Sequence, residues 1–208
     1  MTLSSQKSPL APAGPSRTVP DADNEEKRVR ILDAAQGLFL RYGVKRTSID
    51  DVASEAGIAK GTVYLYFESK SALFAALGRR LCAESFAQAQ GVLAEAKPLN
   101  ERIVDFLDCH IGRVNRLIAS SPHISELSAS KDALATAIYD DHNRRMKSLL
   151  VGLLKEANIT QPGATEMFLA AAIGTLRTGN LAEKPYRARL AAITNALIAG
   201  LTRNGGSP

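Results

Sequence analysis

Residues 48–67 read SIDDVASEAGIAKGTVYLYF, two short helical patterns separated by a single glycine. Val52, Ala53 and Ala56 share one face of the first pattern, and Ile58 and Val63 continue the apolar side after the turn. Gly57 stands at the bend, where the backbone needs positive φ. Ala53 is small enough for two helices crossing at roughly 90–120° to touch. The stretch is expected to be a helix-turn-helix. Thr47 or Ser48 can cap its first helix by accepting from an orphan amide, and Asp50 and Asp51 then lie in the first turn, where the helix dipole favours negative charge.

The second helix, expected over Ala59 to Tyr66, shows Lys60, Gly61, Thr62, Tyr64 and Tyr66 to solvent around the small anchor Val63. A cation, a hydroxyl and two phenols suit phosphate oxygens and base edges, and a helix N-terminus adds anion affinity. Taken singly, the lysine and the hydroxyl fit a solvated face of any helical protein. The pattern as a whole points to nucleic acid.

Upstream, Ile31, Ala35, Leu38, Phe39 and Tyr42 recur at three- and four-residue intervals, giving a first helix whose apolar stripe braces the motif. Gly43 is placed to end it. Downstream, Ser69 is a candidate N-cap for a helix that starts with Lys70 and Leu73 and continues through Leu77, Leu81, Val92 and Leu93. Any tilt of that helix would carry the reading element with it.

From about Glu25 to Leu81 the chain resembles the DNA-binding domain of the TetR family of bacterial transcriptional repressors. Tyr42-Gly43, Thr47, Ile49, Ala53, Gly57, Gly61-Thr62-Val63-Tyr64, Tyr66-Phe67, Ser69-Lys70, Leu73 and Phe74 carry the resemblance. It implies that Lys60, Gly61, Thr62 and Tyr64 face the major groove, with Tyr66, Lys70 and Thr47 or Ser48 on the flanking phosphates. Many members have histidine where this chain has Tyr66, which changes the length and direction of that contact. The family also implies an all-α protein of about nine helices. An N-terminal three-helix helix-turn-helix DNA-binding domain (25–81) would precede a C-terminal helical effector-binding and dimerisation domain (82–208).

Composition agrees with a globular chain. At 208 residues, 45% of them hydrophobic, about 70% of the unfolded surface can be buried. Residues 1–24, with Pro9, Pro12, Pro15 and Pro20 and no periodicity, are expected to form a disordered arm. No apolar run is long enough to span a bilayer and no signal-peptide core is present, so a cytoplasmic protein is expected. Cys82 and Cys109 are read as two buried thiols, with a redox pair as the alternative. The net charge of +5 includes a surplus of +3 between Glu25 and Arg80, a mildly basic head that suits controlled release from DNA.

Beyond Leu81 helices are expected near 69–96, 100–120, 122–129, 131–157, 162–179 and 185–203, which with the three of the headpiece makes nine. Ile103, Leu107, His110, Val114 and Leu117 share one stripe; Ile138, His142, Met146, Leu149 and Leu153 share another. Each is apolar except for a central histidine. Either the imidazoles are core side chains satisfied by the backbone, or they face a ligand pocket. A metal site would need a third ligand, for which Asp141 is the nearest volunteer, and none is expected. Phe106, Arg113, Tyr139 and Asn143 flank the two positions as further candidates for a mostly apolar effector cavity, and Arg177 is a candidate for the pocket or its rim.

Met167 to Thr178 and Leu190 to Leu201 are apolar helices rich in Ala, Gly and Thr, expected to pair with a second copy as a four-helix bundle. The chain lacks GxSxG, HExxH, phosphate-loop and dinucleotide motifs, so no catalytic residue and no cofactor are expected. The reading is a homodimeric repressor on a palindromic operator, released by a small, largely apolar effector. The alternatives are control by a protein partner, constitutive action, or a helical enzyme.

Overall fold

The computed structural model describes the backbone of residues 22–178 and 181–203, and the side chains of these apart from 22 and 131–137. The described residues form nine α-helices and no strand: α1 (Ala22–Tyr42), α2 (Ile49–Ala56), α3 (Lys60–Tyr66), α4 (Lys70–Ala94), α5 (Leu99–Leu107), α6 (Arg113–Ala119), α7 (Ile124–Glu156), α8 (Ala164–Leu176) and α9 (Glu183–Arg203). A five-residue π turn, Asp108–Gly112, joins α5 to α6.

The headpiece is punctuated locally. α1 stops at Gly43, whose φ of 81° lets its amide turn back to the Phe39 carbonyl. Of the two candidate caps for α2, Ser48 takes the position. Its Oγ accepts from the Asp51 amide at 3.1 Å while Asp51 accepts from the Ser48 amide at 2.8 Å, a reciprocal capping box. Gly57, at φ 66°, closes α2, and Ser69 caps α4 by accepting from the Ala72 amide.

Two apolar cores result. Ile31, Leu32, Phe39, Val52, Val63 and Leu73 are sealed in the first, and Ile103, Phe106, Leu107, Met146, Leu150, Phe168 and Tyr186 in the second. α4 serves both, through Leu73 and Leu77 at one end and Ala89 and Val92 at the other. α7 does the same, because Leu127 lies in the headpiece core while Leu150 and Leu153 lie in the body. The turn before α7 grips the headpiece further. Ser121 donates to the Leu40 carbonyl at 2.6 Å, the His123 ring meets the Arg41 carbonyl at 3.1 Å, and Glu126 accepts from the Lys45 amide.

Three boundaries differ from the sequence expectation. α1 begins at Ala22, so the last residues of the expected 1–24 arm are helical, with Asp23 in the first turn paired to Lys27; residues 1–21 lie outside the described residues. The helices expected at 122–129 and 131–157 are one, since a serine at 130 costs only a few tenths of a kcal/mol inside a helix anchored in a core at both ends. The helix expected over 100–120 is interrupted by the π turn. The merger and the division leave the total at nine. No described helix is long and apolar enough to cross a membrane. Cys82 and Cys109 are half-buried, unbridged thiols, and burial pushes the Cys109 thiol upward.

Candidate nucleic-acid interface and body cavity

α3 is fixed from below by Val63, which is wholly buried, and presents the opposite side outward. Lys60, Gly61 and Tyr64 lie on that exposed side and Thr62 is half-buried. A Cβ built on Gly61 would meet nothing within 4 Å, so this stretch of backbone is open to an approaching surface. The Lys60 ammonium is held by Asp50 of α2 at 2.7 Å, and that hydrogen bond raises its pKa above the ordinary lysine value. The cation is thereby kept charged and parked beside the exposed face of α3. Leu65, 85% exposed between the two tyrosines, is a further surface residue; its position in the pattern marked it as outward-facing, but its apolar type concealed it.

The residues expected on flanking phosphates are differently employed. The Thr47 hydroxyl is buried and donates to the Gly43 carbonyl at 2.8 Å, leaving Ser48 as the exposed hydroxyl at the entry to α2. Tyr66 donates to Asn24 and so brings the start of α1 beside α3. Lys70 donates to the carbonyls of Thr47 at 2.9 Å and Lys45 at 3.2 Å, tying the start of α4 to the loop ahead of the helix-turn-helix.

In the body, the two histidines meet. Their rings are 5.5 Å apart at 59°, and Phe106, in the core, lies 6.2 Å behind His110. They border a cavity of about 280 Å³ together with Leu81, Cys82 and Ser85 of α4, Val114 and Asn115 of α6, and Tyr139, Asp140 and Asn143 of α7. A wider groove of about 660 Å³ shares His110, Asn115 and Asn143 and runs on to Leu169, Ile173 and Leu176 of α8. Arg113 turns away to Glu84 at 3.3 Å, and Arg177 follows α8 as an exposed cap; neither is among the lining residues. No cluster of three or more metal-ligating side chains occurs among the described residues.

Burial, and after it the neighbouring His142 ring, push the His110 pKa down to about 4; burial also lowers that of His142. Both imidazoles are therefore neutral near pH 7. His110 owes its position to the π turn. There the Arg113 amide reaches back five residues to the Asp108 carbonyl, and the Cys109 carbonyl is released to accept from Ser85 at 2.7 Å. The turn is fastened by Asp108, whose buried carboxylate pairs with Arg116 and, at 2.9 Å, with Arg187 of α9. Arg116 also lies 4.5 Å over the ring of Tyr186. Gly112 makes room for this network: a Cβ there would stand 2.1 Å from an Asp108 oxygen and 2.7 Å from the Tyr186 hydroxyl. Local pattern reading could not detect it, because its members are spread from 108 to 187.

A helix-turn-helix headpiece carried on a helical body defines a DNA-binding regulator of transcription. The model of the bacterial regulatory proteins of the tetR family matches residues 31–77. The repressor KstR of Mycobacterium tuberculosis is 27% identical over 158 residues, 75% of this chain and 70% of that protein. The regulator YvdT of Bacillus subtilis is 40% identical over 67 residues, so that match spans only 34% of YvdT. Among solved structures, the fatty acid degradation regulator FadR of Bacillus halodurans superposes with a TM-score of 0.63 at 20% identity over 84% of this chain and 96% of that one. A regulator of Saccharomonospora viridis in complex with choline gives 0.64 at 19% identity, covering 84% and 96%. Residues 31–77 thus carry the headpiece of the tetR family of bacterial regulatory proteins, and the fold of the whole chain is similar to that of TetR-family transcriptional regulators. The similar proteins are regulators rather than enzymes, which removes the helical-enzyme alternative.

Proposed function

We propose that this chain is a homodimeric repressor that occupies a palindromic operator through α3 and is released by a small molecule bound in the body cavity. The observation that carries the reading is α4. Its first residue, Lys70, is bonded to the loop ahead of the helix-turn-helix, and eleven to fifteen residues later Leu81, Cys82 and Ser85 form a wall of the cavity. A ligand that favours a different tilt of this helix would respace the two reading heads and shift the population away from the DNA-bound form. The docked turn at Ser121–Glu126 gives α7, which carries Tyr139 and His142, a second hold on the same head.

Dimerisation is assigned to α8 and α9. Met167, Ile173 and Ile193 are 45%, 46% and 39% exposed on these helices, an apolar face suited to a second copy. Two reading helices about 34–36 Å apart would then enter successive major grooves. Sedimentation of the protein with a selected operator fragment tests this reading. Two chains per palindrome, dissociating when a cavity ligand is added, are expected. A single chain stably bound to one half-site overturns the symmetric form, and operator binding indifferent to every cavity ligand overturns the release.

A further inference from the structure

We propose that the cavity between α4, the π turn and α7 takes an uncharged ligand bearing a carbonyl-type oxygen, which accepts its hydrogen bond from Nε2–H of His110. This rests on the effector reading above and specifies its chemistry.

The first argument is charge. Among the described residues Asp140 is the one carboxylate in the lining, and it is exposed, as is Asn143. Arg113 is engaged outside by Glu84, and Lys147, in the outer groove, by Glu166. Among the described residues the interior thus offers no counter-ion to a charged group, which would lose its hydration without replacement.

The second argument is the hydrogen-bonding inventory. Ser85 is committed to the Cys109 carbonyl, and the Asn115 amide donates to the Ile111 carbonyl at 2.6 Å. Nδ1 of His110 is closed off from solvent and has no partner among the described residues. An orphaned buried N–H is less tolerable than an orphaned lone pair, so the proton resides on the other nitrogen. The accessible edge of the ring is the one away from Nδ1, and it carries Nε2–H. Since the facing imidazole of His142 is also held neutral, the ring pair presents a donor without a charge. An acceptor that is not an anion completes it.

The test uses four molecules of one shape: acetophenone, ethylbenzene, benzoate and benzylamine, titrated calorimetrically into the full-length protein at pH 7.5. Acetophenone should bind about tenfold more tightly than ethylbenzene, the effect of one ordinary hydrogen bond, and the two ions more weakly still. In His110→Phe the first two should bind within about twofold of each other, the hydrogen bond being gone. Should that variant fail to fold, ¹³C-carbonyl acetophenone on the wild-type protein decides. A downfield carbonyl shift on binding, beyond that in hydrocarbon solvent, is expected, and its absence overturns the proposal. Equal binding of acetophenone and ethylbenzene, or preference for either ion, overturns the proposal while leaving the cavity as an effector site. Binding by none of the four overturns the effector reading itself, and this inference with it.

Discussion

In the headpiece each turn is determined by a residue standing next to it: Gly43 after α1, Ser48 before α2, Gly57 after it, Ser69 before α4. In the body the decisive turn, Asp108–Gly112, is held by Arg187, 79 residues away, and by Tyr186 behind it. A fold written by neighbours can be recognised from a short stretch, and the family match indeed covers only residues 31–77. A fold written by distant pairs can keep its shape while its residues change, and the chain as a whole superposes on solved structures at only 16–24% identity. The contrast separates a headpiece that local pattern identifies from a body that it does not.

The largest effect is expected where the body relies on a distant pair. Asp108→Asn removes a buried carboxylate from two guanidinium groups and should destabilise the protein by about 3–5 kcal/mol in urea unfolding. A loss no greater than that of a headpiece cap would erase the proposed difference between the two regions.

Next come the reading residues. Lys60→Ala and Tyr64→Ala should each weaken operator binding by about 1–3 kcal/mol with little change in melting temperature, since both are exposed. Lys70→Ala should instead weaken all DNA sequences alike and make the salt slope shallower by about 1 if it serves a phosphate. It also surrenders the two carbonyl contacts ahead of α2, so a small loss of stability is expected as well. Binding isotherms at several salt concentrations distinguish the two kinds of contact, and identical profiles for all three variants would void the sorting.

Smaller again is the cap. Ser48→Ala should cost about 1 kcal/mol of stability, and Ser48→Gly only a few tenths, as measured by thermal unfolding. An equal cost for both would show that the loop conformation, rather than the side-chain hydrogen bond, is what matters there.

A further effect, confined to acid pH, is expected from His110. The folded protein holds His110 neutral down to about 4, against an ordinary value of 6.5. Between these values the unfolded chain binds a proton that the folded one refuses, so stability is whole above about pH 6.5 and falls as the pH drops toward 4. His110→Phe should flatten that part of the melting-temperature profile. An unchanged slope would mean that His142 and the carboxylates govern it instead.

The exposed side of α3 is largely legible in the sequence, because exposure on a short helix follows from its angular distance from Val63. Thr47 shows where the pattern stops. Its hydroxyl and that of Ser48 are adjacent and equivalent on paper, and only the packed turn assigns one to the Gly43 carbonyl and the other to the surface. Asp108, Arg116 and Arg187 were not legible at all, since each by itself reads as an ordinary charge on a helix.

The sequence by itself determined most of the helices, the capping candidates and the exposed side of α3, since these depend on hydrogen bonds and apolar periods within a few residues. Tertiary structure decided that His110 and His142 share one cavity, that α7 spans both cores, and that α5 and α6 part at a π turn. Each of these depends on which side chains from remote parts of the chain occupy the same space. The pairing of Asp108 with Arg187, and the approach of the Tyr186 hydroxyl to the place a Cβ on Gly112 would take, exist only once α9 has packed beside the turn.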